Sequence, residues 1–314
     1  MVEVPDTLKG RDFTRVGEWK PSELKQALDL ADELKRRQKE RQEHHLLPGR
    51  SLGMIFQKPS TRTRVSFEVG IAQLGGFGLY LRADDLQLGR GETIRDTAVV
   101  LSRYLDAIMI RTFDQKDVEE LARHAEIPVI NGLTDASHPC QALADVMTIR
   151  ERLGRLAGVR LAYLGDGNNV CASLMIAAAR LGMSFTAATP PGYEPGEDVV
   201  AGARHSAVQT GGTVELTHDP REAARGARVL YTDVWTSMGQ DDEREQRLRD
   251  LAGFGINAEL LSLAAPDAIV LHCLPAHYGK EIDEDVLYGP QSAVWDQAEN
   301  RLHAQKSLMA LVIR

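Results

Sequence analysis

The chain alternates between short unbroken apolar runs and longer stretches whose apolar residues recur at helical spacing. Leu52-Gly53-Met54-Ile55-Phe56 is a run of the first kind and reads as a buried strand. Pro59 blocks a helix up to that point and holds the preceding residue extended. Ser60 is a strong N-cap residue, and Phe67, Ile71 and Leu74 then follow at helical spacing until Gly75-Gly76 ends the run. The same alternation predicts a helix over 21–40, strands at 77–81, 106–111 and 127–132, and a helix over 92–104. The residues from Asp84 to Glu92 form a polar, glycine-bearing loop between them. Pro139 suits the first position of a helix that runs to about Leu153. The second half predicts strands at 160–165, 184–189, 213–217, 228–233 and 268–273, with helices between, and one long helix over 292–313. Strands alternating with helices imply an α/β fold with parallel sheets covered on both faces, in which ligands bind at the carboxyl ends of the strands.

Composition narrows the classes. The 314 residues suggest two domains, and 43% hydrophobic with 26% charged residues is ordinary for a globular protein. A net charge of −8 argues against a nucleic-acid partner, but a local cluster at a helix terminus still suits a small anion. Cys140, Cys171 and Cys273 make no disulfide framework, which fits a reducing, cytoplasmic setting. No zinc-type ligand spacing, bilayer-spanning run, signal peptide or transit peptide is visible, so neither a metal nor a membrane is expected.

Candidate chemistry falls at the strand ends. Ser60, Thr61, Arg62, Thr63 and Arg64 crowd the first turn of a helix, where free N–H groups and the positive dipole end already favour an anion. Arg111 ends a buried strand, and a charge there needs a partner. His138 and Gln141 share one face of another helix start. In the second half, Gly165-Asp166-Gly167-Asn168-Asn169, Asp233 and His272-Cys273 each follow a strand. The first begins like a dinucleotide fingerprint. Val170 occupies the third glycine position, however, and Thr189-Pro190-Pro191 stands where an acidic residue belongs, so a nicotinamide-dependent oxidoreductase is weakly supported.

Phe56 to Arg64, with its Ser-Thr-Arg-Thr-Arg, resembles the carbamoyl phosphate loop of the aspartate/ornithine carbamoyltransferase family. His138-Pro139-Cys140-Gln141, His272-Cys273-Leu274-Pro275 and Ala298-Glu299-Asn300-Arg301 resemble further motifs of that family, in the same order. Asp233-Val234-Trp235-Thr236-Ser237-Met238-Gly239 resembles the loop of its ornithine-specific branch. The resemblance implies two doubly wound parallel-sheet domains with a cleft between them, linked by helices. Residues 1–150, completed by the helix 292–314, would bind carbamoyl phosphate, and residues 151–291 would bind ornithine. It implies transfer of a carbamoyl group from carbamoyl phosphate to the δ-amine of L-ornithine, giving L-citrulline and phosphate, in arginine biosynthesis and without a cofactor. Ser60, Thr61, Arg62, Thr63, Gln87 (from a neighbouring subunit), Arg111, His138, Gln141, Cys273, Leu274 and Arg301 would hold carbamoyl phosphate. Asn169, Asp233, Ser237 and Met238 would hold ornithine, and Cys273, Asp233, Arg111 and His138 would carry the chemistry. A homotrimer, or a multiple of trimers, is what the family implies.

Two positions depart from the family pattern. Gln57 stands where Glu is commoner, and Tyr278 where Arg is usual. Within the class, a putrescine or acylated-ornithine carbamoyltransferase is the alternative. A non-catalytic carbamoyl phosphate sensor is a further one, disfavoured by the presence of Cys273, Asp233 and His138.

Overall fold

Each apolar run read as a strand forms one, and the strand pairs are all parallel among the described residues. The computed structural model describes Val4, residues 6–236 and residues 241–313. In chain order, helix α1 (Pro21–Lys39) precedes β1 (Ser51–Phe56), α2 (Thr61–Gln73), β2 (Phe77–Arg82), α3 (Ile94–Leu101), β3 (Ala107–Arg111), α4 (Gln115–His124), β4 (Val129–Leu133) and α5 (Pro139–Leu153). Then come β5 (Arg160–Leu164), α6 (Asn169–Arg180), β6 (Ser184–Ala188), α7 (Glu197–Thr210), β7 (Thr213–Thr217), α8 (Pro220–Ala224) and β8 (Val229–Thr232). The chain closes with α9 (Arg244–Asp250), α10 (Ala258–Ser262), β9 (Ile269–His272), α11 (Glu284–Leu287) and α12 (Val294–Val312).

The chain forms two units, one of Met1–Ala144 with Asn300–Arg314, the other of Asp145–Glu299. The divisions fall inside α5 and α12. The first unit holds a four-stranded sheet in the order β2-β1-β3-β4, the second a five-stranded sheet in the order β7-β6-β5-β8-β9. Each sheet has the strand that comes first in the chain inside and strands from further along the chain on both sides, the doubly wound arrangement in which strand order reverses beside β1 and beside β5.

Burial explains the sequence pattern. All six residues of β1 and all five of β3 are buried, because central parallel strands are covered on both faces and read as unbroken apolar runs. Ile55, Ile108, Ile110 and Val129 pack with Val118 and Leu121 of α4 in the first unit. Leu164, Leu230 and Val270 pack with Ala223, Leu260 and Val286 in the second. The polar stretch 84–92 is not one open loop. It winds into two 3₁₀ turns, Ala83–Asp85 and Gln87–Arg90, and α3 starts only after Thr93, whose hydroxyl accepts from the Asp96 N–H at 3.0 Å. No helix among the described residues is long and apolar enough to cross a membrane.

Candidate active site

The first unit gathers its site at the start of α2. Ser60 has extended backbone, and its Oγ accepts from the Thr63 N–H at 3.2 Å, so the cap read from sequence is the cap that forms. Gly75 ends the helix with φ +87°, where an L side chain is strained. The cap turns Thr63 inward, and its side chain is fully buried. Thr63 Oγ1 then accepts from Arg301 Nη2 at 2.8 Å and lies 3.4 Å from Arg111 Nη1. Arg301, one charge among many polar residues of α12, is 4% exposed and meets a threonine 238 positions earlier in the chain. Arg111, at the end of β3, is held from the neighbouring strand: its carbonyl accepts from the Gln57 N–H at 2.8 Å.

His138 and Gln141 are both buried at the start of α5, which begins at Pro139 as expected. Burial, together with the charges of Arg301, Arg111 and Arg62, holds the His138 imidazole well below its ordinary range. It is therefore neutral at physiological pH. These residues make one electropositive corner with hydroxyl, guanidinium, amide and neutral imidazole donors.

Not every residue of the motif joins it. Arg64 turns away, stacks its guanidinium 3.8 Å over the Tyr80 ring and pairs with Glu68. Gln87 is exposed on its 3₁₀ turn. Lys58, which the sequence did not single out, is 4% exposed, pairs with Asp135 and lies 4.2 Å over the Phe113 ring. Its position beside the phosphate motif was the only signal available. Gln57 accepts from Thr112 Oγ1 at 2.6 Å, and Asp117 lies 3.0 Å from that hydroxyl. An amide at 57 adds no second carboxylate opposite Asp117.

The second unit gathers its site where β5, β8 and β9 end. Asn168 caps α6, accepting from the N–H groups of Val170 and Cys171 at 3.0 and 3.1 Å. Its Nδ2 donates to Asp233 Oδ2 at 2.8 Å, and Cys273 Sγ donates to Asp233 Oδ1 at 2.8 Å. Asp233, 5% exposed, is thus fixed from two sides. Asn169 occupies the first position of α6, directly after the Asn168 cap. His272 Nδ1 accepts from the Leu274 N–H at 2.8 Å, which shapes the turn after Cys273. Leu274 has φ +60°, uncommon for a branched side chain. Glu281, fully buried, accepts from the His277 N–H at 2.6 Å and lies 3.4 Å from His272 Nε2. Ser237 and Met238 lie outside the described residues. Tyr278 turns outward, its hydroxyl 3.4 Å from that of Tyr288.

The dinucleotide-like glycines have other uses. A Cβ on Gly167 would lie 2.3 Å from the Pro195 nitrogen, and one on Gly165 would lie 3.3 Å from Trp235 Nε1. They admit backbone and indole, and Val170 is buried in the core. Arg247 pairs with Asp166 and donates from Nε to the Trp235 carbonyl at 2.7 Å. Burial pushes the Asp166 carboxyl up to about 6, against the opposing pull of Arg247. Nothing local in the sequence joins Arg247 to Asp166.

Asp233, His272 and Cys273 offer ligand atoms within 4.8 Å of one another, a carboxylate, imidazole and thiol set that suits zinc. Cys273 donates to Asp233, so a metal bound by both would have to displace that bond.

Two family models cover the chain. "Aspartate/ornithine carbamoyltransferase, carbamoyl-P binding domain" matches residues 11–151, and "Aspartate/ornithine carbamoyltransferase, Asp/Orn binding domain" matches residues 157–312. The chain is 57% identical over 307 residues to an ornithine carbamoyltransferase of Pyrococcus abyssi, covering 98% of this chain and 97% of the relative. It is 56% identical over 307 residues to an anabolic ornithine carbamoyltransferase of Pyrococcus furiosus, covering 98% of each. The solved structure of ornithine carbamoyltransferase from Pyrococcus furiosus superposes with a TM-score of 0.95 at 56% identity, covering 99% of both chains.

Proposed function

The chain belongs to the aspartate/ornithine carbamoyltransferase family, and from that premise we propose that it transfers the carbamoyl group of carbamoyl phosphate to the δ-amine of L-ornithine, yielding L-citrulline and inorganic phosphate. The observation that carries the reading is Thr63, which takes Arg301 Nη2 on its hydroxyl at 2.8 Å with Arg111 Nη1 at 3.4 Å, at the capped start of a helix. The first unit, completed by the end of α12, holds carbamoyl phosphate. Ser60, Thr61, Arg62 and Thr63 take the phosphate with the helix dipole. Thr63, Arg111, His138, Gln141 and Arg301 face the carbonyl oxygen, where negative charge grows as the tetrahedral centre forms. A neutral His138 polarises that oxygen without adding a cation.

The second unit holds the amino acid. Asp233 takes the α-ammonium, Asn169 the carboxylate, and Ser237 and Met238 hold the rest of the amino acid. Cys273 contacts the δ-amine and, with Leu274, the carbamoyl group. The free δ-amine titrates near lysine, at about 10.4, so at neutral pH about one molecule in a thousand is able to attack. It gives up a proton on binding, with Asp233 and Cys273 as the relay. The amine nitrogen then bonds to the carbonyl carbon, the carbon–oxygen bond to phosphate breaks, and the second amine proton leaves as citrulline forms. No metal or organic cofactor is needed for these steps.

The head group separates the substrates. Acylated ornithine carries no α-ammonium for the aspartate held in place by Asn168 and Cys273, and putrescine keeps that ammonium but has no carboxylate for Asn169. The setting we propose is arginine biosynthesis in the cytosol, which suits three free thiols. We propose a homotrimer in which Gln87 serves a neighbouring subunit. Its support is the exposed position of Gln87 and the exposed apolar side chains of the first unit, Phe77 and Leu79 on the edge strand β2 and Val65 and Val69 on α2.

The test is citrulline and phosphate release with ornithine, N-acetylornithine and putrescine in turn, beside the molar mass in solution. Turnover with ornithine alone is the expected result. Release from putrescine at a comparable rate would overturn the substrate assignment.

A further inference from the structure

Helix α12 is an unusual helix to bury. Asn300, Arg301, His303, Gln305, Lys306 and Ser307 are each at most 4% exposed. Polar groups taken out of water have to find specific partners. Lys306 finds three. Its ammonium donates to Gln38 Oε1 on α1 at 2.7 Å, to Gln73 Oε1 on α2 at 2.8 Å, and to His44 Nε2 at 3.1 Å. His44 Nδ1 lies 2.9 Å from the Gln42 carbonyl, so its proton sits there and Nε2 is left to accept. Three ammonium protons therefore meet three neutral acceptors. Among the described residues no carboxylate pairs with Lys306. Lys306, with Lys35 and Lys39 of α1 and with His44, acts on the imidazole of His303 in its own helix, and it also acts on His44. Burial lowers Lys306 to about 8.

A second observation shows what this arrangement holds. A Cβ on Gly70, in α2, would lie 3.0 Å from Met309 Cε, 3.2 Å from Lys306 Cγ and 3.5 Å from Leu302 Cδ1. A side chain at 70 would press on these three side chains of α12, so the glycine lets α12 cross α2 closely there. The two helices thus meet at two polar points with that glycine between them: Arg301 on Thr63, and Lys306 on Gln73.

We propose that Lys306 is a positioning residue for carbamoyl phosphate. Its three-point hold on α1, α2 and His44 fixes the register of α12, and that register delivers Arg301 to Thr63. Apolar contact alone is non-directional and tolerates sliding or rotation of a helix. Directed hydrogen bonds from one ammonium do not. A slip of one helical turn is about 5.4 Å, enough to remove Arg301 from Thr63 altogether. The inference rests on the role given above to Arg301.

The test compares wild type, Lys306→Met and the triple variant Lys306→Met/Gln38→Leu/Gln73→Leu by steady-state kinetics and thermal unfolding. The triple variant replaces Lys306 and its two glutamine acceptors with apolar side chains, and removing both partners of a buried hydrogen bond is close to neutral or stabilising. Lys306→Met should lower the Tm and raise the KM for carbamoyl phosphate by about tenfold, the effect of losing one hydrogen bond from a charged group. The KM for ornithine should stay within about twofold. The triple variant should regain Tm and keep the raised KM. Recovery of both together, or a wild-type KM in Lys306→Met, would show that the cluster only stabilises, and would overturn the proposal. If Lys306→Met does not fold, the triple variant and the milder Gln73→Met carry the same comparison. Failure of the underlying reading is separate and visible, since wild type would then form no citrulline.

Discussion

Two corners of the molecule are built alike and charged oppositely. At one, β1 turns into α2 and Ser60 caps the helix; at the other, β5 turns into α6 and Asn168 caps it. Each cap accepts from the free N–H groups that any helix start leaves over. Beyond that the corners diverge. Around Ser60 stand Arg62, Arg111 and Arg301, and around Asn168 stand Asp233, Asp166 and Cys273. Serine spends its oxygen on the cap and leaves the positive helix end to a ligand. Asparagine has a second group, an amide N–H, and spends it on Asp233. The backbone device is the same, and its electrical sign is set by residues that arrive from far along the chain. Under the proposed function the first corner takes the leaving anion and the second the incoming ammonium.

This contrast breaks most sharply at the guanidinium. Arg62→Ala should cut kcat/KM for carbamoyl phosphate by about a thousandfold, the upper range for one lost electrostatic donor, with ornithine binding far less affected. Product-release kinetics at varied carbamoyl phosphate checks this, and near-wild-type turnover would remove the phosphate from α2. Next in size, Asp233→Asn keeps the shape of the second corner and removes its charge. The KM for ornithine should rise about a hundredfold while that for carbamoyl phosphate holds steady. Equal effects on both substrates would dissolve the division of labour.

The caps themselves give smaller effects. Asn168→Ala should cost about 1–2 kcal/mol in denaturant unfolding and also weaken ornithine binding, because one side chain both caps α6 and holds Asp233. Ser60→Ala should cost about 1 kcal/mol and weaken carbamoyl phosphate binding instead. The smallest effect sharpens the phosphate side alone. Lys306 is held near 8 in the folded protein, below its ordinary 10.5. The unfolded chain therefore binds more protons between about pH 8 and 10.5, and stability rises with pH across that window. Relative to Lys306→Met, wild type should gain about 1 kcal/mol between pH 8 and 9, read by denaturant unfolding at each pH.

Much of the scaffold was legible because it is periodic. The strands at 52–56, 106–111 and 160–165 announced themselves as apolar runs, and Ser60, Pro139 and Gly75 marked helix ends at the residues where helices end. The first corner was legible too, since Ser60 to Thr63 are consecutive and one helical turn brings them together. Arg301 was another matter. In sequence it is one charge in a polar helix, and only the family resemblance raised it. Lys58 and Arg247 carried no periodic signal, because each is buried by a partner that local spacing does not reveal: Asp135 for one, Asp166 for the other. Arg64 misled in the opposite direction, since the turn of α2 points it at Tyr80 and not at the site.

The sequence alone determined the strand–helix alternation, the caps and the donor-rich first turn of α2, since these depend on residues within one turn or one pleat of each other. Tertiary structure alone decided that Arg301 meets Thr63, that Cys273 and Asn168 both reach Asp233, and that Lys306 is buried among neutral acceptors. Those contacts join residues 40 to 268 positions apart. Local propensity is silent at such separations, and only the packing of sheets and helices brings the side chains within hydrogen-bonding distance.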